Sequence, residues 1–451
     1  MRILVLQLVP DIRGRAVPRF EPQLGTLLAL LKKREHQLAL LGLARFDVEA
    51  VKAALARTLP QLVYADIAGV CVDTARRTCE YIQTHEFLPV VAGGYYPSVD
   101  PAGCLSLPSV QAVAIGEPDA SLATYLERIR DPAAGQVVSG VWLRDESGLA
   151  RPDLPPLVED LGSLPFPERD LFHYAEHVRR TGEIEIAVGR GCPQECAYCV
   201  NDWLAEIYEN RGTWVRRRTP ENVLAEIKLL RERYQGVQRV RFLDHALALD
   251  LDWLRRFLPV YTQRCGLPFR CHLRLNAASE EIVRALAAAR CEQVTVELIS
   301  ASDFIRNEIF DMNLSGEQIE AGFGWLKTAG IRIRAIVYLG CPYESEASLD
   351  ETRRLLQRLQ PDLADIRPYY PWPGTRALDI CRDNGWLHVR GEDLYHNDRV
   401  GIDMPACRAE FVDAFVRRLR AEIHALQDVP WWRRWATAPR AALARLFPTL
   451  R

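Results

Sequence analysis

Short apolar runs alternate with amphipathic stretches from the first residues of the chain. Runs at 3–9, 36–41, 65–71, 89–92 and 110–115 read as buried strands. Between them, 24–33, 48–59 and 76–85 repeat apolar positions every three or four residues and read as helices. This alternation predicts an α/β domain, an open parallel sheet with helices on both faces. Ligands of such sheets bind outside the carboxyl ends of the strands. Three glycine-containing loops fall there: Pro22-Gln-Leu24-Gly25, Ala92-Gly93-Gly94-Tyr95-Tyr96-Pro97 and Ile115-Gly116-Glu117-Pro-Asp119. Glycine at a strand end lets backbone approach a ligand closely.

A hairpin-like stretch at 137–149 leads into a proline-rich run, from Arg151-Pro-Asp-Leu-Pro-Pro156 to Leu164-Pro-Phe-Pro167. Proline at this density forms neither helix nor central strand. From Glu183 the alternation resumes for six rounds. Strands are predicted at 183–188, 239–243, 269–273, 293–297, 331–338 and 366–370, and helices at 220–234, 251–265, 280–289, 316–329 and 345–359. Six units predict an incomplete (β/α)6 barrel with its reactive groups at the carboxyl ends of the strands. The predicted organisation is therefore an open-sheet domain over 1–135, hairpin and linker over 136–180, barrel over 181–390 and a helical tail over 391–451. Within the tail, 409–426 is amphipathic and predicted to cap the barrel.

Composition narrows the class. The chain has 451 residues, enough for two or three domains, with 48% hydrophobic and 26% charged residues. A net charge of −2 argues against nucleic acid as the main partner. Twelve cysteines in so long a chain are not a disulfide framework. No run of eighteen apolar residues is present, and the N-terminus reads as a strand rather than a signal segment. A reducing cytoplasm is the expected location.

The candidate chemistry lies at Cys192, Cys196 and Cys199, spaced C-x3-C-x2-C directly after the first barrel strand. Three thiolates on a [4Fe–4S] cluster leave one iron open, whereas structural zinc takes four ligands and ferredoxin runs ligate every iron. Spacing alone also leaves open a zinc site or three buried thiols. The run Gly189-Arg-Gly-Cys192-Pro-Gln-Glu-Cys196-Ala-Tyr198-Cys199 resembles the signature of radical S-adenosylmethionine (SAM) enzymes, including the aromatic residue before the last cysteine. That resemblance implies a cluster on the three cysteines and SAM on the open iron, cleaved to methionine and a 5′-deoxyadenosyl radical.

The later strand ends extend the resemblance. Asp244 would accept hydrogen bonds from the SAM amino group; His245 departs from the two acids common there and would face cobalamin or substrate. Arg274 would pair with the SAM carboxylate. Where relatives show Gly-x-Glu-Ser-Gly, this chain has Glu297-Leu-Ile299-Ser300-Ala301, so Ile299 replaces the glutamate. Strand period two places 297 and 299 on one face, and Glu297 is expected to substitute, an altered substrate side being equally open. Gly340 and Pro342, in Gly340-Cys-Pro342-Tyr-Glu344, match the pattern near the adenine. Tyr369, in Pro368-Tyr369-Tyr370-Pro-Trp-Pro-Gly374-Thr375, would face the cavity. Asp244, His245 and Tyr369 are the catalytic candidates.

The upstream glycine loops resemble the Rossmann-like, cobalamin-binding domain of the cobalamin-dependent class. The resemblance implies corrin contacts from Leu24, Gly25, Gly93, Gly94, Tyr95, Gly116 and Glu117, with Tyr95 standing where that class usually has histidine. No Asp-x-His-x-x-Gly motif is present, which fits this class and equally a degenerate domain. The expected function is cobalamin-dependent methylation of an unactivated carbon. Cobalamin-dependent radical rearrangement, ring contraction or cyclisation without methyl transfer is the alternative, with a non-enzymatic iron–sulfur protein for electron transfer or redox sensing below both. A small-molecule or lipid substrate and an external flavodoxin- or ferredoxin-type electron donor follow. Trp431-Trp432-Arg433-Arg434-Trp435 suggests peripheral membrane contact or a helix over the active site.

Overall fold

The computed structural model describes residues 1–10, 18–130, 137–145, 148–245, 247, 250–387 and 398–427. The tryptophan–arginine tail segment lies outside them. Five parallel strands build the first sheet: β1 (Arg2–Leu8), β2 (Gln37–Leu43), β3 (Leu62–Ile67), β4 (Val90–Gly93) and β5 (Val110–Ala114). The hairpin β6 (Val141–Asp145) and β7 (Gly148–Ala150) continues it antiparallel, giving the order β2-β1-β3-β4-β5-β6-β7. Residues 3–8 of β1 are all buried, as a central parallel strand covered on both faces requires. Helices α1 (Pro22–Lys33), α2 (Val48–Thr58), α3 (Val72–His85), α4 (Tyr95–Val99), α5 (Pro101–Leu105) and α6 (Asp119–Arg128) follow the strands.

Two predicted boundaries move. The strand expected at 65–71 ends at Ile67, and the helix expected from 76 starts at Val72. Apolar Ala68-Gly-Val-Cys71 extends the strand pattern, yet it forms the turn into α3, with the Cys71 N–H donating to the Ala68 carbonyl at 3.0 Å.

The second sheet is wholly parallel, in the order β15-β14-β13-β12-β11-β8. Its strands are β8 (Glu183–Ile186), β11 (Arg239–Phe242), β12 (Phe269–His272), β13 (Cys291–Ile299), β14 (Arg332–Leu339) and β15 (Leu363–Pro368), preceded by α7 (Tyr174–Thr181). A two-stranded ribbon, β9 (Gly189–Arg190) with β10 (Arg216–Arg217), stands beside it and encloses α8 (Val200–Ile207). Helices α9 (Pro220–Arg233), α10 (Leu251–Arg264), α11 (Glu280–Ala288), α12 (Gly316–Thr328) and α13 (Glu346–Leu359) fill the crossovers, and α14 (Arg376–Asp383) follows the last strand. Alternation in β8 turns Ile184 and Ile186 into the apolar core, while Glu183 faces Arg270 of β12 at 3.3 Å and Glu185 faces Arg241 of β11 at 3.5 Å. The barrel lumen is accordingly charged.

The tail helix, α15 (Ala409–Gln427), was expected as a cap. It runs along β15, where the Arg420 Nε donates to the Ile366 carbonyl at 2.8 Å. An open barrel leaves β15 as an edge strand, and α15 covers that edge.

Candidate active site

The cysteine loop emerges from β8 through the β9–β10 ribbon. At Gly191 φ is +80°, and a Cβ there would strike the Trp214 carbonyl, so glycine is required. The Trp214 indole N–H donates to the Cys192 carbonyl at 3.1 Å. Farther along, the Ala197 N–H donates to Phe310 at 3.0 Å and its carbonyl accepts from Ala377 at 2.9 Å. The Arg376 guanidinium holds the Glu195 carbonyl. Elements up to 180 residues away thus anchor a loop without regular structure of its own.

Cys196 is buried, while Cys192 and Cys199 are half-buried. Burial raises all three thiols, Cys199 to about 12. Protonated thiols in such a place are poor nucleophiles but become thiolates on metal binding. Among the described residues, one group of three brings its ligand atoms within 4.8 Å of one another, and it is not this one. The thiols are spread wider than a single zinc ion with bonds of about 2.3 Å would hold them; a cluster suits them.

The ends of β11, β12 and β13 converge on this loop. Arg274 donates to Cys196 Sγ at 3.1 Å, to Glu297 Oε2 at 2.7 Å and to the Tyr198 hydroxyl at 3.3 Å. The Tyr198 hydroxyl in turn donates to Glu297 Oε2 at 3.2 Å. His245 Nδ1 lies 3.0 Å from Glu297 Oε1, and its ring stacks obliquely on His272 with centroids 4.2 Å apart. Burial works to raise the Glu297 carboxyl, but His245 and Arg274 outweigh it and hold it well below the usual range. Burial likewise opposes the His245 cation, and Glu297 reverses the effect, raising the imidazole. For His272, burial and the neighbouring His245 outweigh the pull of Glu297 and push it down to about 3. Asp244 accepts from the Val188 N–H at 2.7 Å and faces Arg217 at 3.4 Å; burial raises its carboxyl.

Cys192, Cys196, Cys199, Tyr198, Asp244, His245, Arg274 and Glu297 are therefore gathered at one mouth. Glu297 gets there on the regular alternation of β13, but Ile299 does not share its face as period two predicts. The β13–β14 register shifts between Glu297 and Ile299, and Ile299 has φ +62° and is fully buried. A bulge turns Ile299 into the core and leaves Glu297 at the mouth.

Four expected residues stand elsewhere. Ser300 is fully buried, its carbonyl accepting from Arg306 at 2.6 Å. The Gly340 N–H donates to Glu344 at 2.5 Å, and a Cβ on Gly340 would strike Val400 and Val412 of α15. Pro342 is buried in the same closed turn. Tyr369 is buried between Phe310 and Tyr338, its hydroxyl without a hydrogen-bond partner. Apolar packing claimed these positions, whose polar or glycine identity had suggested exposure.

The seven residues expected around a corrin are mostly committed to protein contacts. Leu24 and Gly25 lie under the linker, whose Glu168 N–H donates to the Gly25 carbonyl at 2.9 Å. A Cβ on Gly93 would meet the Tyr64 ring, and one on Gly94 the Asp66 carboxylate. Asp66 is raised to about 8 by burial and by Glu21. Tyr95 donates its hydroxyl to the Pro373 carbonyl and packs on Trp372 at 6.0 Å. The Glu117 N–H donates to the Tyr208 hydroxyl at 2.7 Å, the same hydroxyl that crowds Gly116. The Glu117 carboxylate joins Arg190 (2.7 Å) and Arg216, and Asp119 also pairs with Arg190. Sequence reasoning missed Arg190, Tyr208 and Arg216 because only tertiary structure brings them to Glu117. It also missed His272, for which a signal existed: it alternates with Arg274 on one strand face.

A cavity of about 370 Å³ separates the two sheets, touching Glu21, Gly116 and Glu117 on one side and Cys192, Arg217 and His245 on the other. The cysteine loop fits a cluster by its thiols and by the Arg274 cation beside Cys196. Of the seven residues expected around a corrin, Gly116 and Glu117 line this cavity, and Leu24, Gly25, Gly93, Gly94 and Tyr95 do not.

Residues 186–356 match the Radical SAM superfamily. An uncharacterised methyltransferase of Pyrococcus horikoshii is 23% identical over 399 residues, covering 85% of this chain and 84% of that protein. The radical SAM methyltransferase TsrM from Kitasatospora setae, solved with cobalamin and a [4Fe–4S] cluster, aligns with a TM-score of 0.65 at 19% identity, over 86% of this chain and 79% of TsrM. The cobalamin-dependent radical enzyme OxsB aligns with a TM-score of 0.64 at 16% identity, over 93% of this chain and 56% of OxsB. These structural likenesses establish the fold: an open parallel sheet followed by a partial (β/α)6 barrel.

Proposed function

We propose that this chain is a radical SAM enzyme, a methyltransferase of the cobalamin-dependent class acting on an unactivated carbon of a small molecule. The observation that carries the reading is the convergence of Arg274, Glu297, Tyr198 and Asp244 on a three-cysteine loop at the carboxyl ends of parallel strands. Cys192, Cys196 and Cys199 hold the cluster, which with SAM supplies a 5′-deoxyadenosyl radical. Arg274 sets a permanent cation beside Cys196 and is the partner for the SAM carboxylate. Asp244, held by the Val188 N–H, offers its carboxylate to the SAM ammonium. Glu297 keeps Arg274 and Tyr198 oriented. His245, side chain 60% exposed at the mouth, is the group best placed to meet substrate.

Cobalamin as methyl carrier is supported by the fold shared with TsrM and OxsB and by the cavity at Gly116 and Glu117, the one glycine loop of the three that reaches it through these expected residues. No catalytic step is assigned through it. The accompanying division of labour is an open-sheet domain over 1–135, linker over 136–180, barrel over 181–390 and tail over 391–451. No helix among the described residues is long and apolar enough to cross a membrane. A cytoplasmic setting with a flavodoxin- or ferredoxin-type donor and no nucleic-acid partner completes the reading, with lipid as a further substrate class and the tail as its membrane contact.

Anaerobic reconstitution tests it. The reduced protein with SAM should yield 5′-deoxyadenosine, and with substrate also S-adenosylhomocysteine, while taking up one corrinoid. Deoxyadenosine without S-adenosylhomocysteine would move the assignment to a radical rearrangement, and the corrinoid absorbance separately tests the open-sheet domain. Neither product from protein with an intact cluster would refute it.

A further inference from the structure

We propose that His245, His272 and Glu297 form a second metal site at the barrel mouth, separate from the thiols and selective for a first-row divalent ion such as zinc. The three side chains come from the ends of three adjacent strands, β11, β12 and β13. Their ligand atoms all lie within 4.8 Å of one another. His272 Nδ1 is buried with no hydrogen-bond partner, so the cluster carries a nitrogen donor that the protein does not itself satisfy. Two imidazoles and one carboxylate are a donor set for zinc, iron(II) or cobalt(II) that leaves positions open to an exogenous ligand.

An ion bonded at about 2.1 Å needs its ligand atoms roughly 3.4 Å apart. His245 Nδ1 and Glu297 Oε1 are already 3.0 Å apart, and binding the ion would draw the remaining donor in from within 4.8 Å. Arg274 holds Glu297 Oε2 at 2.7 Å, leaving Oε1 for the ion and orienting the carboxylate as a second-shell partner should. Arg241 and Arg334 lie near His272 but are paired with Glu185 and Asp365 at 3.5 and 3.2 Å, which limits their repulsion of a cation. Two of the three residues are also those at which the chain departs from the pattern it resembles, the histidine after Asp244 and the displaced glutamate. The structure puts both departures in one contact. Open positions on the ion would face the cavity that His245 lines, where an oxygen or nitrogen donor of the substrate can be anchored.

The test uses the cluster-reconstituted full chain, freed of adventitious metal and titrated anaerobically with zinc without SAM. One zinc per chain beyond the cluster iron is expected. X-ray absorption at the zinc edge should show nitrogen and oxygen neighbours at about 2.0–2.1 Å and no sulfur near 2.3 Å. His272→Ala and Glu297→Gln should each weaken binding at least about tenfold with cluster absorbance unchanged. No stoichiometric zinc, a sulfur shell, or equal affinity in both folded variants would overturn the proposal. The absorption experiment needs only the unaltered protein, so a variant that fails to fold does not remove the test. Because no turnover is read, the outcome is independent of the methyltransferase assignment.

Discussion

Replacing Glu117 with alanine should loosen the join between the open sheet and the barrel. Its carboxylate is 12% exposed and accepts from Arg190 and Arg216. Arg190 would keep Asp119. Arg216, 2% exposed, would keep only carbonyl partners, with Val158 at 3.0 Å and Trp214 at 3.4 Å. Removing one member of a buried ion pair costs about 3–5 kcal/mol, because the remaining charge stays desolvated. At about 1.36 kcal/mol per tenfold, local opening should become roughly two to nearly four orders of magnitude more frequent. Amide hydrogen exchange at residue 117 reads this directly, since that N–H donates to the Tyr208 hydroxyl across the join. A double variant, Glu117→Ala with Arg216→Met, should recover much of the protection by removing the orphaned cation. Exchange within about threefold of the wild type in the single variant would refute the ion-pair argument, being well short of the loss expected from a buried pair.

The same carboxylate makes the join acid-sensitive. Burial works to raise Glu117, but Arg216 and Arg190 prevail and depress it. A depressed carboxylate contributes fully above its ordinary value of about 4.3 and loses that contribution as pH falls through the folded value. Exchange protection should therefore fall with acidification in the wild type and less so in Glu117→Ala.

Tyr369→Phe should retain SAM cleavage and leave thermal stability unchanged or up to about 1 kcal/mol higher, because the hydroxyl it removes is buried and unpartnered; a large loss of deoxyadenosine would restore Tyr369 as a catalytic candidate. Arg274→Lys should raise the KM for SAM and lower its cleavage by at least about tenfold while the cluster still assembles, since an ammonium cannot serve Cys196 and Glu297 as a fork does. Unchanged kinetics would sink that role. Gly340→Ala should destabilise the barrel by about 2 kcal/mol or more in a melt, its φ being +83° and its Cβ position filled by Val400 and Val412; an unaltered melt would contradict the packing of α15.

Most of the fold was legible because apolar periodicity survives in parallel sheets buried on both faces. All six barrel strands lie within a few residues of their apolar runs, and the triad follows β8 as its order in the chain required. The turn at 68–71 misled because it is as apolar as the strand before it. The site was legible where one strand end carried the decisive group, as at Asp244, Arg274 and the cysteines. It was not legible where a residue's role depends on what packs over it, as at Gly340, Tyr369 and Ser300.

What the sequence by itself determined was the order of elements and the chemistry at each strand end, since both follow from local pattern. Only tertiary structure decided which strand-end groups meet. A bulge after Glu297 turns Ile299 into the core, and at the mouth His245 and Arg274 hold Glu297 low, Glu297 raises His245, and burial lowers His272. The two sheets are joined by Glu117 and arginines 73 and 99 positions away, a contact invisible to any local pattern. Desolvation is the physical reason: it is absent from a chain in water and appears only when distant segments exclude that water together.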